Sequence, residues 1–545
     1  MINIENLNPF PKFCCSIGMI PTSYKVSLTY EEQLLWLCDF LENTVIPTVN
    51  NNGQAVEELQ NLFVTLTNYV DNYFDNLDVQ TEINNKLDEM AENGTLQSIM
   101  LNYISVSKVY DTLQDVLIDS LITNNQKIIT LGYYNKNDGG NGEYFVRQKT
   151  NEDVENGGNL IFLNNNLVCE LIIKNSINIK QFGGKGDGET DETIVLQNFL
   201  NCNAPKHIIN DGNYLIDDDL IINSNTNLIF VNAKITRKPT NEGLYYMFDL
   251  YQVHDVNILN AHLVGDKDNH LDTTGSEGHC INIAECYNIN IKDCLFEKAW
   301  GDGIYLGYKW SIEPTITTSN ITIDNCKLLN NSRNGISITS GNNITVKNSY
   351  IYGTTRINPK TGIDIEPEHS ISTVPHLTNI VIDNVSTDSN IIGIGLPLKT
   401  YDINVIIKNC NSNNEAQGVV CFSALGSSQV DIINHTCKNV NNSGMNIQAI
   451  GQNSKVNIVN PTFIDYAGSS NDISLSNAIK LNASNYDIYN VSIENMNVLS
   501  QNNKRFLTSL YASALGASTY KIYNLKVDNI YCDYANTYPI CRKCS

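Results

Sequence analysis

Three carboxylates fall within five residues at Asp364, Glu366 and Glu368, in the run Gly362-Ile363-Asp364-Ile365-Glu366-Pro367-Glu368. Ile363 and Ile365 alternate with the acids, the pattern of a strand with one buried face, so the carboxylates share the opposite face. Two residues along one strand separate Cα atoms by about 6.5 to 7 Å. Inverting glycosidases hold their carboxyls roughly 6.5 to 9.5 Å apart, one protonating the leaving oxygen while the other activates water. Asp364 and Glu366 are therefore the first candidates for an acid and a base acting on a glycan, with Asp302 as the alternative partner. Tyr305, Arg333, Ser337 and Glu368 are the expected substrate contacts. A lyase is the rival chemistry, in which the carboxylates would hold Ca²⁺ and Arg333 or Lys360 would act as base. Its difficulty is that an arginine base must lose a proton at a pKa above about 12. A solvated acidic face without chemistry is the third reading. No other cofactor is implied: G-x-S-x-G, H-E-x-x-H and P-loop patterns do not occur. His270, His279, His369 and His376 lack ligand spacing and read as loop or internally satisfied histidines.

These groups can converge only if separate stretches of chain are held in register, and the sequence contains a device for that. A segment of the form x-φ-x-φ-x-Asn begins at Asn227, Asp255, Asn288, Asn320, Asn343, Asn379, Asn404, Gln429, Lys455, Asn490 and Asn524, at intervals of 23 to 36 residues. Its sixth position is Asn in every copy except the third, where Asp293 stands. Period-two alternation makes each copy a strand with one buried face, and an Asn at its end suits a turn in the left-handed region. Stacked Asn side chains would also bond to one another. A second strand recurs between copies, as Gly303-Ile304-Tyr305-Leu306, Gly335-Ile336-Ser337-Ile338, Gly362-Ile363-Asp364-Ile365 and Gly444-Met445-Asn446-Ile447. Each repeat contributes at least two short strands and cannot bury its apolar side alone, which defines a solenoid. At ~4.8 Å per coil the copies build a rod roughly 50 Å long. Ile289, Ile321, Ile344 and Ile380 should stack in its core. The outer face should carry Asp302 and Tyr305, then Arg333, Ser337 and Thr339, then Asp364, Glu366 and Glu368, with the insertion from Tyr350 to Lys360 walling the groove.

Composition agrees with an elongated β-protein. The 545 residues carry only 17% charged side chains and a formal net charge of −23, with Lys and Arg unclustered. That leaves no platform for phosphate neutralisation, so nucleic-acid binding is not expected. No apolar run of membrane-spanning length occurs, and the first thirty residues lack the basic and apolar regions of a secretory signal. The fifteen cysteines are scattered rather than arranged as a compact even set. Cys294, Cys326 and Cys410 share one repeat position and read as stacked buried thiols. Cys541 and Cys544 have metal-ligand spacing without a second pair nearby and read as an inert tail.

Residues 1–104 read as helical. Thr29-x-x-Glu32 is a capping-box signal, and Leu59, Phe63, Leu66, Val70, Tyr73 and Leu77 form either a heptad seam or an ordinary packing face. Residues 105–175 read as a small β-rich connector, where Leu131-Gly132-Tyr133-Tyr134 and a glycine-rich turn at 138–142 join two strands. From 176 to 545 the chain is the solenoid with its C-terminal end.

The stretch at 181–193, QFGGKGDGETDET, carries a specific resemblance. Phe182-Gly183, Gly186-Asp187-Gly188 and Thr190-Asp191 are similar to the opening motif FGAKGDGxTDDT of the pectate-lyase-like right-handed parallel β-helices (pectate lyase superfamily), modules widespread in bacteriophage tail spikes and appendages. Gly184 replaces Ala and Glu192 replaces Asp. In that family the motif is a structural turn and short helix, so Asp187 and Asp191 are not expected to be catalytic. The GYY and DGG run of the connector and the Asn50 to Gln80 region also resemble phage proteins. The resemblance implies a mainly β fold, a right-handed parallel β-helix with an α-helical anchoring segment and a β connector. It further implies a homotrimer, attachment to virion tail or neck proteins through the N-terminal segment, and a location on the virion after assembly in the host cytoplasm. The expected partner is host-surface polysaccharide, bound and degraded during adsorption. A non-cleaving receptor-binding fibre and a secreted pectate-lyase-like enzyme are the alternatives. The missing secretory signal and the helical N-terminus weigh against the second.

Overall fold

An asparagine that ends an alternating strand must bend the chain, and the computed structural model shows how far. It describes residues 107–544 except 309–314, 369–376, 400–401, 469–471, 473, 484–485, 503, 515–519 and 535–537, together with Lys86, Asp88 and Glu89. The chain divides into two compact units, 1–104 and 105–545. The capping-box signal at Thr29 and the seam from Leu59 to Leu77 lie outside the described residues, as do His369 and His376 and the side chains of Cys541 and Cys544.

Most coils contain three strands, one more than the minimum expected, while at Asn232, Asn495 and Asn529 the first two run together as one strand through the corner. A first strand such as Ser319–Asp324 ends at the recurring corner residue, a second of only three residues such as Lys327–Leu329 follows it, and a third such as Ile336–Ile338 closes the coil. All three pair in parallel with their counterparts one coil away. The result is a parallel β-helix, right-handed as β crossovers are. All eleven corner residues from Asn232 to Asn529 have φ between +51° and +56°. Asparagine tolerates this region at little cost, and its amide then bonds along the rod. Asn434 donates to Asn409 at 3.0 Å, Asn460 to Asn434 at 3.0 Å, and Asn495 to Asn460 at 3.1 Å. Where the corner residue is Asp293 it only accepts, from Asn325.

The expected isoleucine stack is present. Ile289, Ile321, Ile344 and Ile380 are directly paired from coil to coil, and none is more than 1% exposed. The glycines that open the third strands form their own column, because a Cβ on Gly303, Gly335, Gly362, Gly393 or Gly418 would meet the carbonyl of the next glycine at 2.5 to 2.8 Å. Only a residue without a side chain permits that approach. Cys294, Cys326 and Cys410 are buried as expected, but the thiol column is broken. Ser349 and Val385 occupy its position in the two coils between Cys326 and Cys410, with the Ser349 hydroxyl accepting from Cys326 N.

The N-terminal end of the rod is closed by the helix Thr193–Asn201, which buries Leu196, Phe199 and Leu200. The acids of the preceding motif organise backbone: Asp187 accepts from Glu189 N and Thr190 N, Asp191 from Thr193 N, and Glu192 from Lys185 N and Gly186 N. In the connector the Asp138 carboxylate gathers the N–H groups of Tyr133, Tyr134, Asn135 and Gly140 at 2.8 to 2.9 Å, which closes the turn before the strand Gly142–Gln148.

The corner can be tested at Asn434, which both donates and accepts in the ladder. Asn434→Ala forces a Cβ residue to positive φ and removes the amide, a loss of about 2 to 3 kcal/mol. Asn434→Gly keeps the conformation and should lose roughly half as much. Thermal melting of the three proteins measures this, and equal losses in both variants would show that the left-handed corner is not what the side chain supplies.

Candidate functional site

The third strands present an outward column in strict register: Asn282, Tyr305, Ser337, Asp364 and Gly395. Thr339 and Glu366 follow two residues on, and Glu366 N and Glu368 N continue the ladder by donating to Ile338 O and Thr339 O. The alternation thus places Asp364 and Glu366 on one face, as read from the sequence. The column is not the solvated strip of the third reading, however. Asp302, Ser337, Asp364 and Tyr305 are 0%, 2%, 4% and 6% exposed. The cause is a set of side-chain bonds that folds the column onto itself. Asp302 Oδ1 accepts from Asn334 N at 2.9 Å, and its Oδ2 accepts from Ser337 Oγ at 2.8 Å and Arg333 Nη1 at 3.2 Å. Asn334 Nδ2 donates to Ser337 Oγ at 3.0 Å and to Asp364 Oδ2 at 3.4 Å. Asp302 therefore reaches Asp364 through Asn334 and Ser337, within a bonded network. Gly395, next in the column, lets the Asp364 carboxyl pack close against its backbone, since a Cβ there would lie only 3.2 Å from Oδ1.

Burial, reinforced by the neighbouring Glu366 charge, pushes the Asp364 carboxyl up to about 8. Glu366 is ion-paired with Lys399 at 3.0 Å. Glu368 is raised by burial and by Glu366. A carboxyl that keeps its proton beside one held by an ammonium group is the division of roles that acid and base catalysis needs. Arg333 moves the other way for the lyase alternative: the Asp302 charge raises its already high pKa, holding it protonated. Among the described residues no cluster of three acidic, cysteine or histidine side chains forms a metal-binding group.

A cavity of about 160 Å³ opens at this face, and Arg333, Glu368 and Tyr305 line it. Its other walls come from Tyr246, Glu277, Asn282 and Tyr308, which the sequence reading did not single out, and from His279, which it took for a loop or internally satisfied histidine. The Tyr246, His279 and Tyr305 rings stack nearly parallel, at 5.8 and 5.2 Å between centroids and 10° and 7° between planes. Asp302 N donates to His279 Nδ1 at 2.9 Å, and burial pushes this imidazole down to about 4. A signal for the strand Glu277–Ala284 exists, because every interval between asparagine copies must contain a third strand and Cys280 to Ile283 alternate. It lacks the Gly-Ile or Gly-Met opening that marks the others.

The insertion from Tyr350 to Lys360 does not wall this cavity. Arg356 lies over the Trp300 ring at 3.5 Å, and His270, bonded through Nδ1 to Asp266 at 2.7 Å, stacks on Trp300 at 3.7 Å. Two groups so close to one ring occupy its opposite faces, so the segment is pinned to the corner of the coil around Trp300. Lys360 contributes its carbonyl to Ile391 N and Ile392 N and does not line the cavity.

Three parallel strands per coil, a left-handed corner and an apolar stacked interior define a right-handed parallel β-helix, and residues 279–484 match the family model described as right handed beta helix region. The chain is 28% identical over 220 residues to the uncharacterized protein YclG of Bacillus subtilis, a match covering 35% of this chain and 38% of that protein's length. Similar solved structures include the tailspike protein gp49 of Acinetobacter baumannii bacteriophage Fri1, a capsular polysaccharide depolymerase, at 14% identity and TM-score 0.48, covering 77% of this chain and 69% of that one. Another is PfbA, a surface adhesin of Streptococcus pneumoniae, at 14% identity and TM-score 0.46, covering 66% and 93%. Among the described residues no helix is long and apolar enough to cross a membrane.

Asp364 makes stability depend on pH in a defined direction. Its folded pKa of about 8 lies above the ordinary carboxyl value of 3.8, so its contribution is fully present at acid pH and is lost as pH rises through about 8. Asp364→Asn removes this dependence. The melting temperature of the variant relative to wild type should climb between pH 5 and pH 8.5; a difference that stays constant across that range would mean Asp364 is not held protonated by the fold.

Proposed function

We propose that this chain is a phage tail spike or appendage whose β-helix binds and cleaves a host-surface polysaccharide, with the N-terminal segment attaching it to virion tail or neck proteins and the chain working as a homotrimer. The observation that carries the catalytic part is the pairing of a buried Asp364 with Glu366 on one strand face, at the coil adjoining a cavity lined by Arg333, Glu368 and Tyr305. In this reading the Asp364 proton passes to the glycosidic oxygen as the bond to the anomeric carbon breaks. Glu366 takes a proton from the water that attacks that carbon from the other side. Glu366 lies one residue past the strand Thr361–Ile365 with its N–H still bonded to Ile338 O, and an extended backbone sets the Cα spacing from Asp364 at about 6.5 to 7 Å, within reach of the separation used by inverting hydrolases. Lys399 lies 3.0 Å from Glu366 and holds its carboxylate in place. Arg333, Tyr305, Ser337 and Glu368 hold the sugar, all but Ser337 directly at the cavity.

A second reading has its own support. Asp302 spends both oxygens inside the protein and Asp364 is only 4% exposed, which suits a binding fibre whose acids are structural.

Reducing-end release from host-surface polysaccharide by the purified full chain separates the two. Under the hydrolase reading Asp364→Asn and Glu366→Gln each lower the rate by about 10² to 10⁴ while the far-ultraviolet dichroism stays native. Binding without release by the wild type favours the fibre, and full activity in both variants places the chemistry elsewhere.

A further inference from the structure

The walls of the cavity say what kind of sugar they fit. His279 Nδ1 is occupied by the Asp302 N–H, and the imidazole is neutral, so its proton sits on Nε2. Among the described residues Nε2 has no partner, and His279 lines the cavity, so one directed donor is offered to whatever enters. The stack around it matters as much. Each face of the His279 ring is covered by a tyrosine, so this wall shows ring edges and polar tips rather than an open aromatic face. On this wall a sugar is read by hydrogen bonds and not by stacking.

Charge narrows the class further. The Arg333 guanidinium is matched by Asp302 at 3.2 Å, and Lys399 by Glu366 at 3.0 Å. Glu277 and Glu368 remain, and among the described residues neither has a cation within ion-pair distance. The whole chain adds a formal charge of −23. A sugar acid would bring a further carboxylate toward two unmatched ones, whereas a hydroxyl donates to a carboxylate and accepts from an N–H at once. The volume of about 160 Å³ is below the roughly 300 to 1,000 Å³ of pockets that enclose whole ligands, so it admits one ring of a polymer whose remainder lies outside.

We propose that this cavity is a subsite for one uncharged hexose unit, with His279 Nε2–H donating to a ring hydroxyl and Glu368 accepting from another. The proposal rests on the reading of the chain as a glycan-binding protein, and its test keeps the two apart. The full-length protein is passed over an immobilised panel of defined glycans: neutral hexans, N-acetylhexosamine polymers, polyuronates and sialylated chains. Retention on neutral glycans is expected, falling at least tenfold in Glu368→Ala and in His279→Phe, the second with native dichroism. Because His279→Phe leaves Asp302 N without its acceptor, Glu368→Ala carries the conclusion if that variant misfolds. The double variant Glu277→Gln, Glu368→Gln should gain affinity for polyuronate at least tenfold, since it removes the two unmatched charges. Retention on acidic glycans alone, or neutral binding untouched by Glu368→Ala, overturns the subsite while leaving a glycan-binding protein. Retention on no glycan overturns that reading and the subsite with it.

Discussion

Everything in this solenoid depends on one backbone conformation repeated at fixed height. The corner residue between the first and second strands sits at φ +51° to +56° in every copy, and only when each coil turns at the same place do the strands fall into parallel register. Asparagine meets two requirements there. It enters the left-handed region cheaply, and its amide has both a donor and an acceptor, so one side chain links the coil above to the coil below. The bonds from Asn529 through Asn495, Asn460 and Asn434 to Asn409 form an unbroken line. The outward columns inherit their alignment from it. Tyr305, Ser337 and Asp364 come from residues about thirty apart in sequence, yet they are neighbours because their corners are.

Perturbed carboxyls alone would not have located the candidate site. Glu415 is fully buried and its pKa is raised well above the ordinary value, but it belongs to a polar ladder inside the rod. Asn390 Nδ2 donates to its Oε1 at 3.0 Å, and Asn390 Oδ1 in turn accepts from Thr354 N and Oγ1. Beside it Thr387, Ser412 and His435 are linked in the same interior. The cavity beside Arg333 is not lined by these groups, and a buried polar residue of this kind fixes neighbouring coils to one another. What distinguishes Asp364 is position: its side chain projects from the outer face, with Glu366 two residues on and a glycine opposite. A pKa shift says that a group has lost water, and only its direction relative to the strand says whether a ligand can find it.

Much of this was legible in the sequence, for reasons that can be stated residue by residue. The alternation around Ile289, Ile321, Ile344 and Ile380 fixes their inward direction because strand periodicity is local. The asparagine corners were equally legible, since the residue type and its place at the strand end both point to positive φ. The second strand of each coil was not, because three residues such as Lys327–Leu329 are too few to show a period. Nor was the burial of Asp302, Ser337 and Tyr305. Alternation says which way a side chain points and nothing about what lies over it, and the cover comes from bonds such as Ser337 to Asp302 and Thr339 to Tyr305 across 34 or 35 residues. His279 was read as a loop or internally satisfied histidine for the same reason. Its importance lies in what packs on both sides of its ring, and neither tyrosine is near it in sequence.

Arg333 ties the two halves of the site together. Its Nη1 is committed to Asp302 at 3.2 Å, while the same side chain lines the cavity beside Glu368. Asp302 in turn orders Asn334 and Ser337, and Asn334 reaches Asp364 Oδ2. The charge of Arg333 is one of the influences that lowers the Asp364 pKa against the larger effect of burial. The cation that borders the ligand cavity and the carboxyl that holds the proton therefore belong to one electrostatic unit. An anion bound against Arg333 would offset the guanidinium charge that lowers the Asp364 pKa, leaving burial and Glu366 less opposed. The stacked architecture is what makes this coupling short. Three consecutive coils supply Asp302, Arg333 and Asp364, and a single strand spacing separates each coil from the next.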